Sequence, residues 1–258
     1  YSPNFKKEDG TKYNVDVYHQ LQFLKSEMHN GAGVGMQQIF PEGFVFINAL
    51  YGLSWCGLLE NIEISSEIYR EGIQEVNWAI EEIKSPNGTG YFEENLHLSY
   101  GAYYTGWLNY LIAHKLSIQK GNIDSIEAVN FKIKCFEIAE AINSSETPYL
   151  ESYSGMSWPA DITSAIASLA IHDRLFEPKF QTTIVSWIEK VKLKLDTNTQ
   201  LIPHMTDYLT GESKQGARGS SQSLILNFFS EIDPELGCLL YTSDAADEAS
   251  CGERGRGG

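Results

Sequence analysis

Phe44-Val-Phe-Ile-Asn-Ala-Leu-Tyr-Gly-Leu-Ser-Trp-Cys-Gly-Leu-Leu59 is apolar on nearly every face of a helix. Such a helix is buried on all sides or lies in a membrane. The run is interrupted by Asn48 and Ser54 and falls short of the ~20 apolar residues that a bilayer span needs, so it reads as a buried helix. Segments 103–116 and 162–175 have the same character. With a fourth, these segments begin at Pro41, Gly101, Pro159 and Ala217, a period of about 58–60 residues that points to a repeated helical unit.

Amphipathic patterns lie between these apolar segments. Ile68, Ile73, Val76, Ile80 and Ile83 recur at helical spacing, with Glu71, Glu75, Glu81 and Glu82 on the opposite, charged face. Phe180, Ile184, Ile188, Val191 and Leu195 form a second stripe, and Val129, Ile133 and Phe136 a shorter third. One apolar stripe with one charged face is the pattern of an outer helix. The alternation predicts an all-α fold of the (α/α)6 toroid type, incomplete, with about four helical hairpins present and small β-hairpins in the long loops. An open superhelical solenoid is the alternative, but its repeats are usually shorter, ~34–47 residues.

Connections from inner to outer helices are short, whereas 85–100, 143–158 and 196–216 are long. Loops beyond ~12–15 residues in a compact domain are usually functional. All three precede an apolar helix, so the expectation is that they gather at one mouth. Convergent helix N-termini there favour an anionic or strongly hydrogen-bonding ligand.

Net charge −15 and a pI near 4.8 argue against nucleic acid and anionic membrane as partners. The expected partner is a small-molecule substrate, and assembly into a homo-oligomer stays open. Residues 1–237 read as one toroid domain. Residues 238–258 resemble a translated sequencing-library adapter followed by a low-complexity Arg/Gly run, and are set aside. With a first residue Tyr1 and this tail, the chain reads as a fragment that lacks at least one hairpin of the ring. Setting the tail aside leaves Cys56 and Cys135, expected to be reduced core residues. Asn87-Gly-Thr89 and Asn143-Ser-Ser145 have the sequon pattern, no signal peptide is visible, and the compartment is open.

Three clusters at the expected mouth carry candidate chemistry. In 149–161, Pro159 suits helix entry and Asp161 falls in the first turn, where a carboxylate offsets the helix dipole. The other reading of Asp161 is a general acid/base at the cavity floor, with Glu151 as partner and Trp158 as a stacking wall. In 201–223, His204 and Asp207 flank an expected β-hairpin turning at Thr210-Gly211. Arg218 opens the fourth apolar helix, ahead of Gln222. A cation is unfavourable at a helix N-terminus, so a ligand or an ion pair with Glu151 or Asp161 is expected to hold it. In 88–104, Glu93, Glu94, His97, Tyr100 and Tyr104 are candidate hydrogen-bonding groups. Glu94 and His97 have a metal-compatible spacing, but no further ligand completes a set. Glu42, after Pro41, is either a dipole partner or a cavity carboxylate.

With the hairpins laid out, the chain resembles the linalool dehydratase/isomerase family of α/α toroid enzymes, over most of 40–236. The likeness is carried by Ser164-Ala-Ile-Ala-Ser-Leu-Ala-Ile-His-Asp-Arg-Leu175, Tyr208-Leu-Thr-Gly211, Glu231-Ile-Asp-Pro-Glu235, Gly106-Trp-Leu-Asn109 and Tyr51-Gly-Leu53. It implies dehydration and isomerisation of a small tertiary alcohol without a cofactor or metal. The family's two catalytic cysteines are not matched: their places fall on Asp161 and near Glu151 or Ser152. Trp107 stands at the place of the family's histidine, and Asp16 matches its Asp when a one-residue gap is allowed. The resulting expectation is a hydro-lyase or isomerase with Asp161, Glu151 and His204 in catalysis. Glu42, Tyr100, Tyr104, Trp107, Trp158, Arg218 and Gln222 would then bind substrate. Gly216-Ala-Arg-Gly-Ser-Ser-Gln222 also looks like an inner-helix start of six-hairpin glycoside hydrolases, so a carbohydrate-active enzyme is the second reading. A non-catalytic scaffold is the third.

Overall fold

The computed structural model describes residues 5–8, 11–119, 121, 123–235 and 237. The segment 238–258, read above as a non-native tail, lies outside them. The fold is all-α, with two short antiparallel hairpins among the described residues. Its described residues form two compact units. The first runs up to Phe92 and adds Trp107–Phe131. The second comprises Glu93–Gly106 and the residues from Lys132 onward.

The first unit opens with β1 (Phe5–Glu8) paired antiparallel to β2 (Thr11–Asn14). The Asn14 side chain then accepts from the N–H groups of Asp16 and Val17 at 3.0 and 3.3 Å, capping α1 (Val15–His29). Gly31, at φ +94°, makes the left-handed turn into α2 (Ala32–Ile39). Next come α3 (Gly43–Leu59), α4 (Glu67–Lys84) and the short α5 (Pro86–Thr89). Two glycines let helices approach closely. A Cβ on Gly52 would lie 2.8 Å from Leu111, and one on Gly72 would lie 2.8 Å from both Trp55 and Leu59.

The apolar segments predicted from Gly101 and Pro159 start at those residues, as α6 (Gly101–Ile118) and α8 (Pro159–Leu175). The other two start two residues later than expected, at Gly43 and, for α10 (Gly219–Ile232), at Gly219. Every residue of α8 from Pro159 to His172 is buried. α3 departs from that expectation: Leu50, Ser54 and Gly57, one turn apart, leave an exposed edge.

α7 (Ser125–Ser144) corrects the sequence reading more sharply. The stripe expected to face inward is exposed, Val129 by 54 %, Ile133 by 52 % and Phe136 by 54 %. The buried face carries Ala128, Phe131, Cys135, Ile138 and Ile142. Both stripes have helical spacing, so periodicity alone does not choose between them.

In the second unit, α9 (Gln181–Lys192) buries Ile184, Trp187, Ile188 and Val191. Trp187 donates to the Pro148 carbonyl at 2.9 Å and stacks on Phe229 of α10. Asp173, near the end of α8, accepts from the N–H groups of Lys179 and Phe180 at 2.9 Å each and so pins the turn that leads into α9. The loop before α10 contains β3 (Met205–Thr206) paired with β4 (Ser213–Gln215), the hairpin that the sequence predicts around Thr210-Gly211. Cys56 and Cys135 are buried thiols, and burial pushes that of Cys56 up.

Candidate functional site

Three connectors of the second unit are stitched together through their backbones. The N–H of Ala102, in the first turn of α6, donates to Glu151 O at 2.8 Å. The N–H of Thr206 on β3 donates to Ser157 O at 3.0 Å, just ahead of α8. The starts of α6 and α8 and the hairpin preceding α10 therefore share one hydrogen-bonded rim.

α6 is launched by two successive left-handed residues, Tyr100 at φ 64° and Gly101 at φ 78°. A bulky residue in that region is strained and persists only where its surroundings over-determine it. Here Tyr100 N–H donates to Glu93 O at 3.1 Å, and Gly101 backs onto Ser152 O, where a Cβ would come within 2.1 Å. The Tyr100 ring lies 5.2 Å from that of Tyr104. Burial, and then the neighbouring Tyr100, pushes the Tyr104 phenol up to about 12, so it is a proton donor at neutral pH.

Asp161 is 9 % exposed, in the first turn of α8. Gly106 packs against that turn: a Cβ there would lie 2.2 Å from Ser164 Oγ and 2.8 Å from Asp161 O. Glu151 has its Oε1 tied to the Gly155 N–H at 2.7 Å, inside the turn at Tyr153–Met156. Above this turn Tyr103 stacks on Tyr153 at 6.0 Å, and Tyr153 meets Trp158 edge-on at 5.5 Å. Tyr153 and Trp158 are half-buried, leaving part of each ring surface accessible.

His204 is held by its N–H, which donates to Gln215 O and Gly216 O, and its Nδ1 lies 2.5 Å from Ser221 Oγ. Burial, with Arg218 adding to it, holds the His204 imidazole below its ordinary value. Gln222 is buried and donates to Ile202 O at 2.7 Å. Arg218 is exposed at the N-cap position of α10 and bonds Gln215 Oε1 at 2.6 Å, an amide, in place of the ion pair with Glu151 or Asp161 that was one of its two expected holders. Asp207 accepts from Lys214 and from the backbone of Leu209 and Thr210; the Lys214 bond leads in lowering its carboxyl to about 2. Glu93 and Glu94 are exposed, and His97 pairs with Ser144 Oγ at 3.0 Å. Among the described residues no group of three or more His, Cys, Asp or Glu side chains is placed to hold a metal. No helix among them is long and apolar enough to cross a membrane.

Glu42 and Trp107 belong to the first unit. Glu42 is the N-cap of α3, its carbonyl accepting from Phe46 N–H. Trp107 is buried edge-on against Phe46, with centroids 5.2 Å apart.

The first unit also holds a polar constellation that the sequence reading missed. Glu71 accepts from Tyr18, Gln22 and Lys25 at 2.8–3.0 Å. Glu75 faces Tyr51, His29 and Lys25 at 2.8–3.2 Å. The His29 ring lies over Trp78 at 4.2 Å. Both glutamates were expected on a solvated face; Glu75 is instead 6 % exposed. The available signal was Tyr18, Gln22, Lys25 and His29 at helical spacing, a polar stripe matching Glu71 and Glu75 one turn apart on α4.

No family model, curated protein or solved structure matches the chain.

Proposed function

We propose that this chain is an enzyme of the linalool dehydratase/isomerase-like toroid class, which uses general acid/base chemistry to remove water from, or isomerise, a small hydroxylated organic molecule. The observation that carries the reading is Asp161, a nearly buried carboxylate in the first turn of α8, directly after the connector that bonds both α6 and the β3–β4 hairpin. A carboxylate removed from bulk water is suited to proton transfer, and positioned acids and bases contribute about 10²–10⁴-fold to rate. In this scheme Asp161 as the acid protonates the departing hydroxyl. Water leaves as the C–O bond breaks, and Glu151 takes the proton from the neighbouring carbon. Tyr104, protonated at neutral pH, and His204 orient the substrate.

The test is incubation of the purified chain with a panel of small tertiary alcohols, following alkene formation by gas chromatography. The expected result is turnover that falls about 10²–10⁴-fold in Asp161→Asn, with the far-UV spectrum retained. Turnover of the variant at the parent rate would sink the assignment.

A second reading is favoured by one specific observation: the partly accessible rings of Tyr153 and Trp158, continuing into Tyr103. Such a surface suits the apolar face of a sugar, and the same carboxylates serve glycoside chemistry. Saturation-transfer NMR with short oligosaccharides, showing contact loss in Trp158→Ala, would move the substrate class from alcohol to carbohydrate.

A further inference from the structure

Ser221 has no part in the chemistry above. It lies in the first turn of α10, 7 % exposed, with its hydroxyl 2.5 Å from Nδ1 of His204. The two partners are positioned independently. His204 is fixed by its own N–H to the carbonyls of Gln215 and Gly216, which anchors it to the base of the β3–β4 hairpin. Ser221 is fixed by helix α10, whose next residue, Gln222, is locked to Ile202 O at 2.7 Å. A hydroxyl and an imidazole held within hydrogen-bond reach by separate elements form a preorganised nucleophile–base pair.

The surroundings of His204 favour the base role. Burial and the Arg218 guanidinium both hold its imidazole below the ordinary value, so at neutral pH it carries a bare nitrogen able to accept a proton. Arg218 is the charged group beside it; its remaining polar partners are the Ser221 hydroxyl and backbone carbonyls. Among the described residues no side chain caps α10, and the first-turn N–H groups of a helix have no partner within it. They supply donors of the kind that stabilise an oxyanion.

We propose that Ser221 is a nucleophile, with His204 as its general base, that reacts with activated carboxylic esters. The Ser221 Oγ–H proton passes to His204 Nδ1 as the Oγ–C bond forms at the ester carbonyl. The tetrahedral intermediate collapses, the bond to the leaving oxygen breaks, and that oxygen takes the proton from Nδ1. Water then attacks the acyl-serine with the same base, releasing a carboxylic acid and restoring Ser221. This activity goes beyond the alcohol chemistry and uses neither Asp161 nor Glu151.

The experiment treats the whole chain with a fluorophosphonate probe and, separately, with p-nitrophenyl acetate, and reads adducts by intact mass and peptide mapping. The expected result is one adduct on the peptide that contains Ser221, absent in Ser221→Ala and unchanged in Ser223→Ala. His204→Gln should slow labelling about 10²–10⁴-fold, the range for a positioned general base. Arg218→Ala, at an exposed position, supplies a test that does not strain the fold. Removing that cation raises the proton affinity of His204, so the acid limb of the labelling-rate profile moves to higher pH. The proposal is overturned by absence of an adduct at Ser221 in the folded chain, by His204→Gln labelling at the parent rate, or by an acid limb that Arg218→Ala leaves in place. Labelling needs no alcohol and alcohol turnover needs no adduct, so either reading can fail without the other.

Discussion

The phenol of Tyr51 donates to Oε2 of Glu75 at 2.9 Å, joining α3 to α4 through a carboxylate that is almost entirely withdrawn from water. The same oxygen lies 2.8 Å from His29 Nε2, and the other lies 3.2 Å from Lys25 Nζ. α1 buries only three apolar residues, Val15, Leu21 and Met28, so this carboxylate is also a principal tie between α1 and the hairpin. Glu75→Ala leaves the Tyr51 phenol and the His29 ring without this acceptor, and Lys25 with Glu71 alone. Thermal unfolding should show a loss of about 1.5–3 kcal/mol, the range for hydrogen bonds to charged groups. Hydrogen exchange should rise first in α1. A loss spread evenly over the chain would contradict the assigned tie.

Glu71 makes the neighbouring half of that tie sensitive to acid. Burial alone would raise its carboxyl, but bonds from Lys25, Gln22 and Tyr18 outweigh burial and hold it below its ordinary 4.5. A depressed carboxyl contributes stability that is present above its unfolded value and is lost as pH falls through the folded one. Denaturant midpoints of the parent chain should therefore decline below pH 4.5, and Glu71→Gln should flatten that decline. An identical acid limb in both proteins would show that other groups set it.

Asp173 pins the turn ahead of α9 through the N–H groups of Lys179 and Phe180, and it also accepts from His172 Nδ1 at 2.9 Å. Replacement by Ala removes the acceptor for two backbone N–H groups, at a cost of about 1.5–3 kcal/mol, the range for hydrogen bonds to a charged group. Urea titration gives the check, with an unchanged m-value, and Asp173→Asn should recover part of the loss.

The two stripes of α7 make opposite predictions for residues only five apart. Ile133 is half exposed, so Ile133→Ala should change stability by no more than ~0.5 kcal/mol. Ile138 is fully buried, so Ile138→Ala should cost about 2–5 kcal/mol. Equal losses would mean that the exposed stripe is covered in solution.

The helices built on wholly apolar segments were legible because their burial is written into every position. From Ile162 to Ile171 the polar side chains are Ser and Thr hydroxyls that bond carbonyls of the same helix turn, so α8 is buried from Pro159 to His172. The α9 stripe was equally clear, since Lys190 and Lys192 leave only one face for the core. α1 was not legible. Its contact face is polar, and a stripe of Tyr18, Gln22, Lys25 and His29 has no apolar period to detect. The candidate site divides in the same way. Asp161 was visible from Pro159 and helix-entry chemistry, whereas the pairing of His204 with Ser221 joins residues seventeen apart across a hairpin and a helix start.

The order of residues by itself determined the helical class, the starts of α6 and α8, and which carboxylate opens α8, because capping, proline entry and unbroken apolarity act over a few neighbouring positions. Tertiary structure alone decided which stripe of α7 meets the core, that Glu75 is buried beneath α1, and that Arg218 bonds an amide in place of an ion pair. Each of those depends on what a distant segment places opposite the side chain, and two faces of one helix that are equally apolar, or two charges equally able to pair, are told apart only by that neighbour.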